Sequence, residues 1–257
     1  PGGSVSKPVS QPEAVEAPVQ EQKSSVVSTT VDKDSLVPAR DPNYVPFGNY
    51  KDLQTIIKSG MFYPAYITGP TGNGKSTSVE QICANTNKPL IRVNLNTMTD
   101  EDQLIGSKTL VDGNVEIVEG PIVIAMRYGI PLLLDEIDRA TNKIMCLQGI
   151  LEGKPVLVKK TGEVVKPAAG FNVIATANTK GKGSEDGRFT AASIIDEAFL
   201  ERFTISVDQR FASPAIEKKI LNKHFDKFGT SDPEFTDKLI DLSLIHISEP
   251  TRLRRIS

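Results

Sequence analysis

The sequence predicts an α/β fold in three layers, a parallel sheet covered by helices on both faces. Three observations carry that expectation. Short β-branched or aliphatic strands alternate with amphipathic helices, the order that builds a parallel sheet. The glycine-rich turn Gly69-Pro70-Thr71-Gly72-Asn73-Gly74-Lys75-Ser76 joins one such strand to the helix after it. Further on, an apolar strand ends in two acids, Asp135-Glu136.

Taken in order, residues 1–40 are rich in Pro, Ser, Val, Gln and Glu and lack apolar periodicity, which predicts a disordered leader. A core is expected over 41–210, where aromatic and apolar residues begin at Tyr44. Ile56-Ile57 fit a short helix ahead of the strand Tyr63 to Thr68. The helix Lys75 to Asn85 presents Val79, Ile82 and Cys83 on one face, and the strand Pro89 to Leu95 follows it. Ile130 to Leu134, Phe171 to Ala177 and Phe203 to Val207 read as strands buried on both faces. Two inserts break the alternation. Lys108 to Val118 reads as a hairpin turning at Asp112-Gly113, and Pro155 to Lys166 as another turning at Thr161-Gly162.

Ser213-Pro214 and Asp232-Pro233 each place a capping residue before a proline at the first helical position. They predict the start of a truncated helical subdomain over 211–241. Leu242 to Arg252, LSLIHISEPTR, looks like one reading frame of a transposase-type sequencing adapter, so 242–257 is expected to be non-native. His246, Arg252, Arg254 and Arg255 therefore carry no functional reading. The chain starts at Pro1 and not at Met, the expected mark of a fragment or a trimmed chain.

Composition excludes several classes. Of 257 residues, 39% are apolar and 24% charged, and the net charge is −2, so no global basic footprint for nucleic acid exists. No apolar run approaches the roughly 20 residues that span a bilayer, and no signal pattern opens the chain. A cytoplasmic protein without membrane contact is expected. Cys83, Cys146, His224 and His246 are too scattered to predict a zinc site or disulfide framework.

The glycine-rich turn matches G-x-x-x-x-G-K-[ST] at every fixed position. Its glycines let backbone amides converge on phosphate oxygens, and the helix that follows adds its N-terminal dipole. Gly69, Pro70, Thr71, Gly72, Asn73, Gly74, Lys75, Ser76 and Thr77 are thus the candidate ATP-binding residues. Lys75 is expected to reach the β- and γ-phosphates, and Ser76 to ligate Mg²⁺. Asp135 is expected in the magnesium shell, and Glu136 to orient and deprotonate the attacking water. Asn178, at the end of Ile174-Ala175-Thr176-Ala177-Asn178, could hydrogen-bond the γ-phosphate or that water. Arg202, in Phe199-Leu200-Glu201-Arg202-Phe203, precedes another strand and by spacing alone is an ordinary surface charge.

The order GPTGNGKS, LLLDE, IATANT, FLERF resembles that of the AAA+ ATPases, P-loop nucleoside triphosphatases. Asp102-Gln103-Leu104-Ile105-Gly106, Glu119-Gly120-Pro121 and Asp135-Glu136-Ile137-Asp138-Arg139-Ala140 resemble the MoxR branch, especially its CbbQ-like and CobS-like members. Tyr44-Val45-Pro46-Phe47-Gly48 and Met61-Phe62-Tyr63-Pro64 are similar to CobS-like sequences of phage genomes, which would put the chain in a host cytoplasm. The likeness covers about Tyr44 to Phe225. It implies that Asn178 is the sensor 1 residue and that Arg202 is the arginine finger serving a neighbouring subunit of a homo-oligomeric ring, a hexamer by family likeness. It also implies that the hairpins are the helix-2 and pre-sensor 1 inserts.

Three functions compete. A ring ATPase that hydrolyses ATP to remodel or activate a client protein fits the MoxR-like signature, without commitment to cobalt chelation. A nucleic-acid motor would use Lys154, Lys159, Lys160, Lys166, Lys180 and Lys182 on phosphates. A nucleotide-gated scaffold without turnover is disfavoured by the presence of both Glu136 and Arg202.

Overall fold

The computed structural model describes residues 25–27, 31–111, 114–179, 195–227, 229 and 232–248, without the side chains of 25–27, 111 and 244–248. In chain order its strands are β1 (Ser25–Val27), β2 (Ala65–Thr68), β3 (Ile91–Asn94), β4 (Gly106–Val111), β5 (Asn114–Glu119), β6 (Pro131–Asp135), β7 (Val156–Val158), β8 (Glu163–Val165), β9 (Asn172–Thr176) and β10 (Ile205–Asp208). Its helices are α1 (Tyr50–Ser59), α2 (Lys75–Asn85), α3 (Glu101–Ile105), α4 (Pro121–Tyr128), α5 (Leu147–Leu151), α6 (Glu197–Leu200), α7 (Pro214–Lys227) and α8 (Pro233–Ser248).

Five strands form the central sheet in the order β10-β2-β9-β6-β3, and every pairing in it is parallel. Side chains alternate across a strand, and this alternation divides the core in two. Ala65, Ile67, Leu133 and Ile174 pack with Tyr50, Leu53 and Ile57 of α1 and Val79, Ile82 and Cys83 of α2. Tyr66, Leu132, Leu134, Val173 and Ala175 face the opposite way, onto Ile122, Val123 and Met126 of α4 and Leu147 and Ile150 of α5. The expected three layers follow. All positions of β6 and β9 are buried, whereas β3 and β10, the edge strands, alternate between half-buried and exposed. The reading of Phe203 to Val207 as a strand buried on both faces is corrected accordingly, because an edge strand lacks a neighbour on one side.

Both expected hairpins form, β4 with β5 and β7 with β8, each antiparallel; Asp112-Gly113 lies outside the described residues. At Thr161-Gly162 the amide of Gly162 reaches the Val158 carbonyl at 2.8 Å. Helices α7 and α8 begin at Pro214 and Pro233 as expected. The Asp232 carboxylate caps α8 by accepting from the Phe235 amide at 3.0 Å, while Ser213 contributes its backbone carbonyl, which accepts from Glu217 at 2.8 Å.

One expected boundary shifts, and another falls inside a helix. The leader was to be unstructured through residue 40, but the chain meets the core well before that. Leu36 accepts from the Leu90 amide at 3.0 Å, the Ala39 carbonyl accepts from Gln81 Nε2 at 3.1 Å, and β1 pairs in parallel with β5. These are mostly backbone contacts, which composition does not report. Residues 1–24 and 28–30 of that leader lie outside the described residues. The break expected near Asp241 falls inside α8, which runs to Ser248; LSLIHIS holds neither Gly nor Pro to stop a helix. The tail beyond Ser248 lies outside the described residues.

Ile174 is fully buried in the middle strand of the sheet. Ile174→Ala is expected to cost about 2–5 kcal/mol, read as a lowered midpoint in urea unfolding.

Candidate functional site

In a parallel sheet with helices on both faces, ligands bind beyond the carboxyl ends of the strands. Here β9 separates β2 from β6, so the ends of β2, β9 and β6 lie side by side. They deliver the loop 69–76, Asn178 and Asp135-Glu136 to one cleft of about 390 Å³. Thr71 through Thr77 line it, together with Arg92, Asn94, Asp135, Glu136, Thr176, Ala177 and Asn178. Gly69 and Pro70, also expected to bind, are not among the lining residues; their carbonyls are turned to Lys75, each 2.8 Å from Nζ.

The loop conformation requires glycine at its first position. Gly69 has φ +143°, and a Cβ there would stand 2.1 Å from the Gln209 carbonyl oxygen. That carbonyl also accepts from Asn73 Nδ2, and the Gln209 amide donates to Thr68 O at 2.8 Å. The turn is therefore braced from behind by the residue after β10. Lys75, the first residue of α2, donates within 3.2 Å to Asn73 Oδ1 and to Asn178 Oδ1 as well. Burial pushes its ammonium below the ordinary value, against the opposing pull of Asp138, Asp135 and Glu136.

Asp135 is the most heavily engaged acid of the cleft. Its Oδ1 accepts from Ser76 Oγ at 2.6 Å and from Thr176 Oγ1, and its Oδ2 accepts from Arg92 Nη2. Burial pushes the carboxyl up, but the Ser76 and Thr176 hydroxyls and the Arg92 charge outweigh it and hold it below the usual carboxylate range. Glu136 follows in the left-handed region, φ 58° and ψ 44°, which costs a non-glycine residue about 1–2 kcal/mol. Its amide donates to Thr176 Oγ1 at 3.2 Å, and its Oε2 lies 3.3 Å from Arg139 Nε. Asp138 is only 1% exposed, and its Oδ2 accepts from the amides of Asn178 and Thr179 at 2.9 and 3.0 Å, fixing the end of β9.

The structure thus gathers Lys75, Ser76, Asp135, Glu136 and Asn178. Arg202 lies elsewhere, held by Glu152 Oε1 at 2.8 Å and by the Ala198 carbonyl. Sequence reasoning missed Arg92, Thr176, Asp138 and Gln209 as parts of the site. A signal existed for the first: Arg92 and Asn94 sit two apart in a short strand, both on its polar face.

The sequence profile of the AAA domain (dynein-related subfamily) matches residues 64–203, from the start of β2 to the end of the segment holding Arg202. The chain belongs to this family. Within it, the chain is similar to the aerobic cobaltochelatase subunit CobS of Sinorhizobium sp, 31% identical over 67% of this chain and 53% of the relative. It is also similar to the uncharacterized protein YojN of Bacillus subtilis, 30% identical over 74% of this chain and 61% of the relative. The chain thus spans between half and two thirds of the length of these relatives. A solved structure from Cytophaga hutchinsonii that carries an ATPase assignment shares the fold, with a TM-score of 0.51 and 20% identity over 74% of this chain and 52% of that one. These findings agree with the AAA+ and CobS-like resemblance and with the three-layer core. Among the described residues no group of His, Cys, Asp and Glu forms a metal cluster, and no helix is long and apolar enough to cross a membrane.

The lowered Asp135 carboxyl makes a pH prediction. A carboxyl lowered on folding adds stability above its unfolded value, about 3.9, and this is lost as pH falls through the folded value. Urea unfolding from pH 6 down to 3 is expected to show a steeper loss of stability in the parent chain than in Asp135→Asn.

Proposed function

We propose that the chain is an ATP-binding and ATP-hydrolysing ring ATPase that remodels or activates a partner protein. One observation carries the reading: Lys75, Ser76, Asp135, Glu136 and Asn178, drawn from three separate segments, line a single cleft at the carboxyl edge of the sheet. Amides of the loop 71–77 and the ammonium of Lys75 would cradle the phosphates. The Ser76 hydroxyl and Asp135 carboxylate, 2.6 Å apart, are hard oxygen donors of the kind magnesium takes, so these residues fit the ion. Bound there, it would neutralise charge on the phosphates.

Glu136 accepts a proton from water as the water oxygen attacks the γ-phosphorus. The bond from that phosphorus to the β,γ-bridging oxygen breaks, and ADP and phosphate leave. The Asn178 amide holds the γ-phosphate or the water. Arg202, outside the cleft lining, is assigned to the nucleotide of a neighbouring subunit, which requires a homo-oligomeric ring; a hexamer is the number the family likeness supports. Such an arginine is worth about 10³–10⁵ in rate.

A client protein is supported by the likeness to a chelatase subunit; cobalt itself is not proposed, and a cytoplasmic location is. The motor reading loses support at three of its six lysines: Lys154 pairs with Glu152, Lys159 with Glu101 and Lys160 with Asp102. Lys166 is exposed, and Lys180 and Lys182 lie outside the described residues.

Glu136→Gln is expected to lower steady-state ATP turnover at least about 100-fold, with affinity for a fluorescent ATP analogue within a few-fold; unchanged turnover overturns the assignment. Arg202→Ala and Lys75→Ala rings are each expected to be inactive. Mixing the two proteins before assembly should restore turnover, because a Lys75→Ala subunit still donates Arg202 to an intact neighbouring cleft. Failure to restore it would remove the trans assignment.

A further inference from the structure

Arg92 comes from the edge strand β3 and belongs to neither the phosphate loop nor the paired acids, yet it lines the cleft. Its three nitrogens are divided among three elements. Nη1 meets Glu80 Oε1 of α2 at 2.6 Å, Nε donates to Asn94 Oδ1 of its own strand at 3.1 Å, and Nη2 donates to Asp135 Oδ2. The planar fork is thereby fixed on both sides of the bond to Asp135. Asp135 is fixed in turn: with Oδ2 on Arg92, its Oδ1 is left for the hydroxyls of Ser76 and Thr176. The side chain of Arg92 is 41% exposed and that of Asp135 only 7%.

We infer that Arg92 is a positioning residue for the divalent cation. By gripping Oδ2 it holds the Asp135 carboxylate in the rotamer that presents Oδ1 beside Ser76, so the two oxygen donors stand ready together. The opposite role, a built-in cation competing for Asp135, is weaker on magnitude. Repulsion between a guanidinium and a doubly charged metal about 6 Å away is worth about tenfold in affinity at the dielectric of water, but the Glu80 carboxylate paired with Arg92 at 2.6 Å offsets much of it. Loss of an outer partner that orients a metal ligand typically costs about 10–100-fold. Lysine would not substitute, because an ammonium lacks the rigid fork that spans Glu80, Asn94 and Asp135 at once.

The inference rests on the nucleotide reading above, and the test separates the two. The full chain is titrated with Mn²⁺, followed by its electron paramagnetic resonance signal, in the presence of a non-hydrolysable ATP analogue; analogue affinity is measured separately without metal. Arg92→Gln is expected to weaken Mn²⁺ binding about 10-fold, with metal-free analogue affinity falling by a clearly smaller factor. Arg92→Lys should recover only part of the loss. Glu80→Gln, on α2 and outside the cleft lining, should weaken Mn²⁺ binding in the same direction by a smaller factor; it carries the test if Arg92→Gln fails to fold. Unchanged or tighter Mn²⁺ binding overturns the inference, as does an equal loss of metal and analogue affinity, which would mean general damage to the cleft. No analogue binding by the parent chain overturns the nucleotide reading itself and this inference with it.

Discussion

The carboxylate of Asp135 is the point on which the cleft depends. A nearly buried charge is tolerated only when its oxygens are hydrogen-bonded, and here the donors come from α2, β9 and β3. Satisfying one acid thus ties the helix after the phosphate loop, the central strand and the edge strand together at the edge where a ligand enters. Thr176 does this twice over, since the hydroxyl that donates to Asp135 also accepts from the amide of Glu136. That second bond helps hold Glu136 in a backbone region its side chain disfavours, directing the residue away from the straight continuation of β6.

What the sequence made legible was local. The glycine spacing of 69–76, the apolar strand ending in Asp135-Glu136, and the proline-led helices at 214 and 233 are each encoded within a few residues, and each element appears at or near its expected place. What it left hidden depends on strand order. Arg92 and Asp135 meet across 43 positions and Thr176 and Asp135 across 41, and only the order β10-β2-β9-β6-β3 brings them together. Read alone, an arginine in a half-exposed strand is a solvated charge, and a threonine in IATANT is a good strand former. The docked segment before Tyr44 was hidden for another reason: its bonds to Leu90 and Gln81 involve its own main chain, whose donors and acceptors are the same in every composition.

The inserts show charge used internally. Arg127 of α4 bonds Glu119, at the end of the first hairpin, and both carboxylate oxygens of Glu163 in the second. Lys160 reaches from the second hairpin to Asp102 and to the Gly106 carbonyl at the base of the first. Surface pairs of this kind add little stability singly, but here they join two segments that share no strand pairing. Lys160, one of the side chains that looked like a basic face for a polyanion, is a fastening between two projections.

Gln209 has one further consequence. It closes β10, lies only a few residues before α7, and touches the phosphate loop through Gly69 and Asn73 and the start of α1 through Asn49. The joint between the core and the helices that follow is thus built against the back of the loop. The chain that leads into α7 and α8 therefore cannot shift at Gln209 without displacing the carbonyl against which Gly69 and Asn73 are packed.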